Sequence, residues 1–368
     1  MTIGPKPETD EERFQGFVEE KAEEFRINDA AHRLVREEAT PFVAPPYMYA
    51  KRLITTPLPE DLWTVEGLMG VGHNVLLASQ YKAGKTQLLL NFILALVDNK
   101  PFLGEFPTVF EGNVCYLNYE LTDVDLQQRL KAIRMRRPSR VLTVSIRDWP
   151  NPLGSARGRE WLANLFLEHD IKLVVVDTFR AAYTGTSHND NAEVGVFTRM
   201  LDLFKQEAAC PGLVLAHHFG RKEHEQGEEH GQGAVELDNW CDMRYLLTKD
   251  AETEERFLRV EGRGPGLKET VLQWEAMYGR LRINPADRGV GRSKVGHNKV
   301  MSDVVDLIRA RPGVNVTSIK ESIPSQKAAI TKALKDLEMT EVIRSELGLN
   351  RSLLYFLVNP DNIDIDFG

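Results

Sequence analysis

The chain has 368 residues, 46 of them Lys or Arg and 54 Asp or Glu, for a net charge of −8 at neutral pH. That balance excludes a generic polyanion binder, so any nucleic-acid contact must come from a local basic surface. Cys115, Cys210 and Cys241 stand far apart with no C-x-x-C pair, which excludes a disulfide scaffold and reads as reduced cytosolic thiols. There is no apolar run of membrane-spanning length and no signal-peptide core, so the expectation is a soluble, cytoplasmic protein with no membrane partner.

Residues 1–60 read as an N-terminal helical arm followed by a proline-rich linker. Phe14, Phe17, Val18, Phe25 and Leu34 are spaced for a weakly amphipathic helix, which could pack on the core or dock on a neighbouring subunit. Pro41, Pro45, Pro46, Pro57 and Pro59 then break helical continuity.

From residue 61 to 285 strand and helix signals alternate, predicting an α/β core with a mainly parallel central sheet. Its first strand, Val75 to Ala78, runs into Ser79-Gln80-Tyr81-Lys82-Ala83-Gly84-Lys85-Thr86-Gln87 and then an apolar helix through Leu96. Strand, short loop and helix in that order make a phosphate-binding loop. Loop and helix N-terminal N–H groups surround phosphate oxygens, Lys85 adds a point charge, and the Thr86 hydroxyl can ligate Mg²⁺. Ser79 stands where the G-x-x-x-x-G-K-[ST] pattern has its first glycine, so its φ must be negative for the turn to form without strain.

Two later strands end on carboxylates. Asp177, after Leu173 to Val176, is placed to hold Mg²⁺ beside Thr86, or else caps the next turn. Glu120, after Val114 to Tyr119, could orient and deprotonate the water that attacks the γ-phosphate, or serve as a helix N-terminal acid. His217, at the end of the strand Leu213 to Ala216, is a candidate γ-phosphate sensor, with a satisfied core histidine as its rival. His224, His230 and Cys241 lie nearby, but their spacing matches no common zinc set. Two loops carry basic or aromatic residues suited to single-stranded DNA, with solvated surface loops as the equal alternative: 218–233 with Arg221 and Lys222, and the stretch with Arg180, Tyr183 and His188. Antiparallel strands follow at Met243 to Thr248, Phe257 to Val260 and Thr270 to Trp274.

Residues 286–296 read as a flexible linker and 297–358 as a winged helix-turn-helix: three helices and a hairpin. Ser318 and Glu321 have capping-box spacing for the second helix. The third points Gln326, Lys327, Thr331, Lys332 and Lys335 outward, for DNA or for a protein partner. Residues 359–368 form an acidic tail with Phe367 near its end.

Taken in order, Lys82 to Thr86, Tyr119-Glu120, Asp177-Thr178, His217-His218 and the run from Gly231 to Arg244 resemble the RepA-like branch of the RecA/DnaB-type ATPases. The resemblance implies a RecA-like core that assembles into a ring, usually hexameric, as a plasmid or phage replicative helicase using ATP and Mg²⁺. It also implies an arginine supplied in trans, for which Arg263 looks like the DnaB-type finger and Arg244 matches the RepA-like position. The expectation is a helicase moving on single-stranded DNA, with a primase-polymerase or other replication protein as partner. A recombinase filament and an ATP-switched adaptor such as a helicase loader are the alternatives.

Overall fold

The computed structural model describes residues 21, 47–58, 61–218, 235–250, 253–348 and 352–360. The chain divides into two units, residues 1–59 and 60–368. In the first, a six-residue helix, Ala50–Thr55, occupies part of the stretch predicted as linker. The interval between Pro46 and Pro57 holds Ala, Lys, Arg and Leu, which favour helix, and the hydroxyls of Thr55 and Thr56 donate to carbonyls one turn back. The arm predicted over 9–40 lies outside the described residues, apart from Lys21.

In the second unit a short hairpin, Trp63–Val65 with Met69–Gly70, leads into the main sheet. Its strands, in chain order, are β1 (Asn74–Ser79), β2 (Asn113–Asn118), β3 (Val141–Ser145), β4 (Ile171–Asp177), β5 (Gly212–His218), β6 (Met243–Lys249), β7 (Arg256–Gly262), β8 (Leu267–Glu275) and β9 (Arg280–Arg282). Side by side they run β9-β8-β7-β6-β1-β5-β4-β2-β3. The run from β6 to β3 is parallel, while β7, β8 and β9 are added antiparallel. This is the α/β core with a mainly parallel central sheet predicted from the sequence.

Helices cover both faces. α1 (Lys85–Asp98) and α2 (Asp123–Ile133) pack on one side; α3 (Ala156–Glu168) and α4 (Asn191–Glu207) pack on the other. Side chains alternate across a strand, so Val75 and Leu77 of β1 join the α1 core while Leu76 joins the α3 and α4 core. Every residue of α1 except Thr86 is buried, which explains its nearly continuous apolar text.

Residues 292–296, predicted as linker, are instead the start of α5 (Arg292–Ala310). Glu269 of β8 fixes that start, accepting from the Arg292 backbone N–H at 2.9 Å and from its guanidinium at 2.8 Å. There follow β10 (Val314–Asn315), α6 (Val316–Ser322), α7 (Lys327–Met339), β11 (Ile343–Leu347) and β12 (Leu353–Leu357), the strands pairing in the order β10-β12-β11. The N-cap of α6 is Asn315, whose side chain accepts from Ser318 N–H; the predicted Ser318 cap lies three residues too late. On α7, Ile330, Leu334 and Leu337 are buried, whereas Gln326, Lys327, Thr331, Lys332 and Lys335 are exposed, as the periodicity predicts. His297 Nε2 meets Asp336 at 2.8 Å and ties α5 to α7.

Leu334→Ala should lower unfolding stability by about 2–5 kcal/mol, the usual cost of truncating a buried leucine. Lys335→Ala, one residue on, should stay within about 0.5 kcal/mol of the parent. Urea titration followed by circular dichroism separates the two; equal effects would contradict the assigned face of α7.

Candidate nucleotide site

β1 ends at Ser79 in the middle of the sheet, between β5 and β6, and the chain turns there into α1. Ser79 is fully buried and is not among the positive-φ residues, so a serine meets no backbone strain at this position. The left-handed conformations fall on Lys82 (φ 63°) and Gly84 (φ 102°). At Gly84 the φ, together with a would-be Cβ 3.3 Å from Arg256 Nε, accounts for glycine. Gly84 supplies no side-chain cap to α1, so the orphan N–H groups of that helix face the loop.

Lys85 is nearly buried and lies between two carboxylates. Its Nζ is 2.8 Å from Asp177 Oδ1 and 3.2 Å from Glu120 Oε2. The Thr86 hydroxyl donates to Asp177 Oδ2 at 3.0 Å, and the Tyr116 hydroxyl donates to the same oxygen at 2.7 Å. Strand pairing brings these groups together, because Asn118 of β2 stands opposite Asp177 at the end of β4. Burial, and then the Asp177 charge, push the Tyr116 phenol far above its ordinary range, so it remains a donor. Burial pushes the Glu120 carboxyl up. The hydrogen bond from His218 and the Lys85 charge outweigh it and hold Glu120 below the ordinary carboxylate range.

The predicted sensor, His217, turns into the core and packs edge-on against Phe179, ring centroids 5.1 Å apart. Side chains alternate along β5, so its neighbour His218 emerges beside Glu120, with Nε2 3.5 Å from Oε1. Among the described residues there is no group of three or more His, Cys, Asp or Glu positioned for a metal ion. Arg180 is exposed just beyond Asp177. Tyr183 is half-buried; it packs against Phe179 and Phe197, and its hydroxyl donates to Glu193. Arg221 and Lys222 lie outside the described residues.

Neither candidate arginine approaches this chain's own phosphate loop. Arg263 NH1 pairs with Asp242 at 2.8 Å, and Asp242 accepts from Asn74 N–H at the starting end of β1. Five residues of extended strand, about 17 Å, separate Asn74 from Ser79. Arg244 stands opposite Leu76 and is paired with Asp238 and Glu261 at 3.1 and 2.7 Å.

Three contacts were not read from the sequence. Tyr116 sits mid-strand, indistinguishable from a core aromatic. Arg256 reaches from β7 to donate to the Ala83 carbonyl at 3.0 Å while stacking over Trp274. Gln87 and Asn91 of α1 donate to the Gly279 carbonyl, and Asn91 accepts from Leu281 N–H at 3.1 Å, binding α1 to the β8–β9 turn. Polar residues recurring at i and i+4 inside an apolar helix are the one signal that could have drawn attention to the last pair.

An anion-ready helix start with a lysine, a threonine and a strand-end aspartate converging on it defines a P-loop nucleoside triphosphatase core. The AAA domain family matches residues 38–224, about half of the chain, and the protein belongs to that family. A KaiC-like protein (PH0186) from the hyperthermophilic archaeon Pyrococcus horikoshii has a similar solved structure. It shares 12% identity with a TM-score of 0.44, over 60% of this chain and 94% of that one. A search of curated proteins gave no match.

Mg²⁺ suits the donor set. The Thr86 hydroxyl and Asp177 carboxylate are hard oxygens at the mouth of the loop. When bound, the ion would be held by these two residues and would neutralise phosphate charge.

Two predictions follow from this geometry. Lys85→Ala removes a charge-assisted contact worth about 1.5–3 kcal/mol, so nucleotide affinity, measured with a fluorescent ATP analogue, should fall roughly ten- to a hundredfold. Because the Glu120 carboxyl is depressed below 4.5 in the folded chain, its pairing stabilises the fold above that pH and is lost as pH falls through the folded value. The gap between parent and Glu120→Gln in urea midpoint should therefore narrow from pH 7 to pH 4. A gap of constant size would show that the pairing does not respond to protonation.

Proposed function

We propose that the protein is an ATP-dependent DNA motor: a ring, hexameric by the resemblance in its sequence, that moves on single-stranded DNA and unwinds duplex in phage or plasmid replication. The observation that carries the reading is the mismatch between a nearly complete phosphate site and the absence from it of both candidate arginines. Lys85, Thr86, Asp177 and Glu120 converge within hydrogen-bond distance, whereas Arg263 and Arg244 sit toward the far end of the sheet. A guanidinium there is out of reach of its own chain's nucleotide, which supports a role at another copy's site and hydrolysis that depends on assembly.

The chemistry follows from these residues. In the free site Lys85 neutralises Asp177 and Glu120. A triphosphate competes for that ammonium, since its γ-oxygens carry more charge than either carboxylate. Release of Lys85 leaves Glu120 ionised and oriented by His218, ready to align a water and take its proton. Loss of the γ-phosphate returns Lys85 to the carboxylates, and the Glu120–His218 contact carries that change to the end of β5 and into the loop that follows. Arg180, Arg221 and Lys222 are the proposed DNA contacts of the core. The C-terminal elements, read as a winged helix, present Lys327, Lys332 and Lys335 to DNA or to a primase-polymerase or other replication protein.

The test is displacement of a labelled strand from a forked duplex with ATP and Mg²⁺. Directional unwinding supports the motor, strand exchange would indicate a recombinase, and DNA-stimulated turnover without displacement would indicate an adaptor. Arg263→Ala and Arg244→Ala, each alone, identify the trans residue. The true finger should lose about 10³–10⁵ in kcat, and mixing it with Lys85→Ala protein should restore turnover at the interfaces that pair an intact loop with an intact arginine. Turnover by a strictly monomeric protein at the parent rate would end the assembly reading.

A further inference from the structure

The outermost strand of the main sheet, β3, has β2 as its one strand neighbour among the described residues, and its residues are half-exposed or exposed. An open strand edge offers unpaired N–H and C=O groups that can accept a further strand. Here the edge is flanked by a groove on each face. On one face a groove of about 550 Å³ is lined by Val144, Ile146, Trp149, Pro152 and Trp161. Trp149 is 73% exposed and Trp161 51%, a large unpartnered aromatic surface. On the other face a groove of about 770 Å³ includes Leu130, Lys131, Arg134, Val141 and Thr143, with Asp123 at its far end engaged by the Ser145 hydroxyl.

One segment of the chain has the alternation of apolar and acidic residues that the two grooves would take. Residues 363–367 read Ile-Asp-Ile-Asp-Phe. As a strand it would place Ile363, Ile365 and Phe367 on one face and Asp364 and Asp366 on the other. Laid beside β3, five residues against five, it would set its apolar face in the tryptophan groove and its aspartates toward Lys131 and Arg134. Main-chain bonds supply affinity in strand addition, and alternate pockets supply specificity.

The C-terminal elements are anchored through Arg292 to Glu269 on β8, and in the lateral order β8 stands second and β3 ninth. Seven strand spacings, about 34 Å, separate that root from β3, and the mass of the crosslinked product distinguishes a neighbour's segment from the chain's own. We infer that the edge of β3 is a docking site for the segment Ile363–Phe367 of a second copy of this chain, added as a tenth strand. The inference deepens the assembly reading above and rests on it for the presence of a neighbour.

Thr143 is exposed and lies on the aspartate side of the edge, so the full chain carrying Thr143→Cys and Asp364→Cys tests the pairing directly under mild oxidation. The expected product is a disulfide between copies, seen as a doubled mass on denaturing gels and reduced at least about tenfold by adding Trp161→Ala. A synthetic peptide of residues 360–368 in excess should suppress it, and one with Ile363, Ile365 and Phe367 replaced by Ser should not. Absence of the bond, an intrachain bond, or a bond indifferent to Trp161→Ala would overturn the inference. Sedimentation with ATP is read separately. Oligomers without the crosslink remove the docking site and leave the ring, while a crosslink without ATP-dependent oligomers removes the ring and leaves the docking site.

Discussion

One buried cation holds the nucleotide site together. Lys85 is the only residue of the phosphate loop that touches both acidic strand ends, and two carboxylates a few ångströms apart at the top of a sheet would repel one another without it. The arrangement is stable only while that positive charge is supplied, by the lysine in the free protein or by a competing set of charges when phosphates enter. The rest of the core serves this constraint. The parallel order brings β1, β4 and β2 to the same edge, and the buried helix α1 fixes the position from which the lysine reaches.

Much of the core was legible because its signals are local. β1, α1, β2 and β4 follow from apolar runs whose ends carry Lys85, Glu120 and Asp177, and each was predicted within a residue or two. Their convergence was also predictable, since a parallel sheet aligns the C-terminal ends of its strands on one side. What escaped the sequence was long-range. Arg256 lies 173 positions from the carbonyl it holds, and no local pattern marks a β7 residue as part of a loop after β1. Tyr116 looks like any core aromatic until β4 is placed beside it.

The choice between His217 and His218 shows the limit in miniature. Both stand at the end of one strand, and only the register against β1 and the packing of Phe179 decide which ring is buried. The predicted linker failed for a related reason. Gly289, Gly291 and Gly296 suggest flexibility, but a carboxylate on β8 captures the N-terminus of α5, and a helix begins where local propensity alone would not start one.

The clasp between α1 and the β8–β9 turn has a mechanical consequence. Gln87 and Asn91 grip the Gly279 carbonyl from inside the helix that starts at the phosphate loop, and the same hairpin, through Glu269, holds the root of α5. These contacts form a continuous chain of hydrogen bonds from the helix that starts at the phosphate loop to the base of the C-terminal appendage. A tilt of α1 would therefore pull first on the β8–β9 turn and, through β8, on the capture of α5 by Glu269.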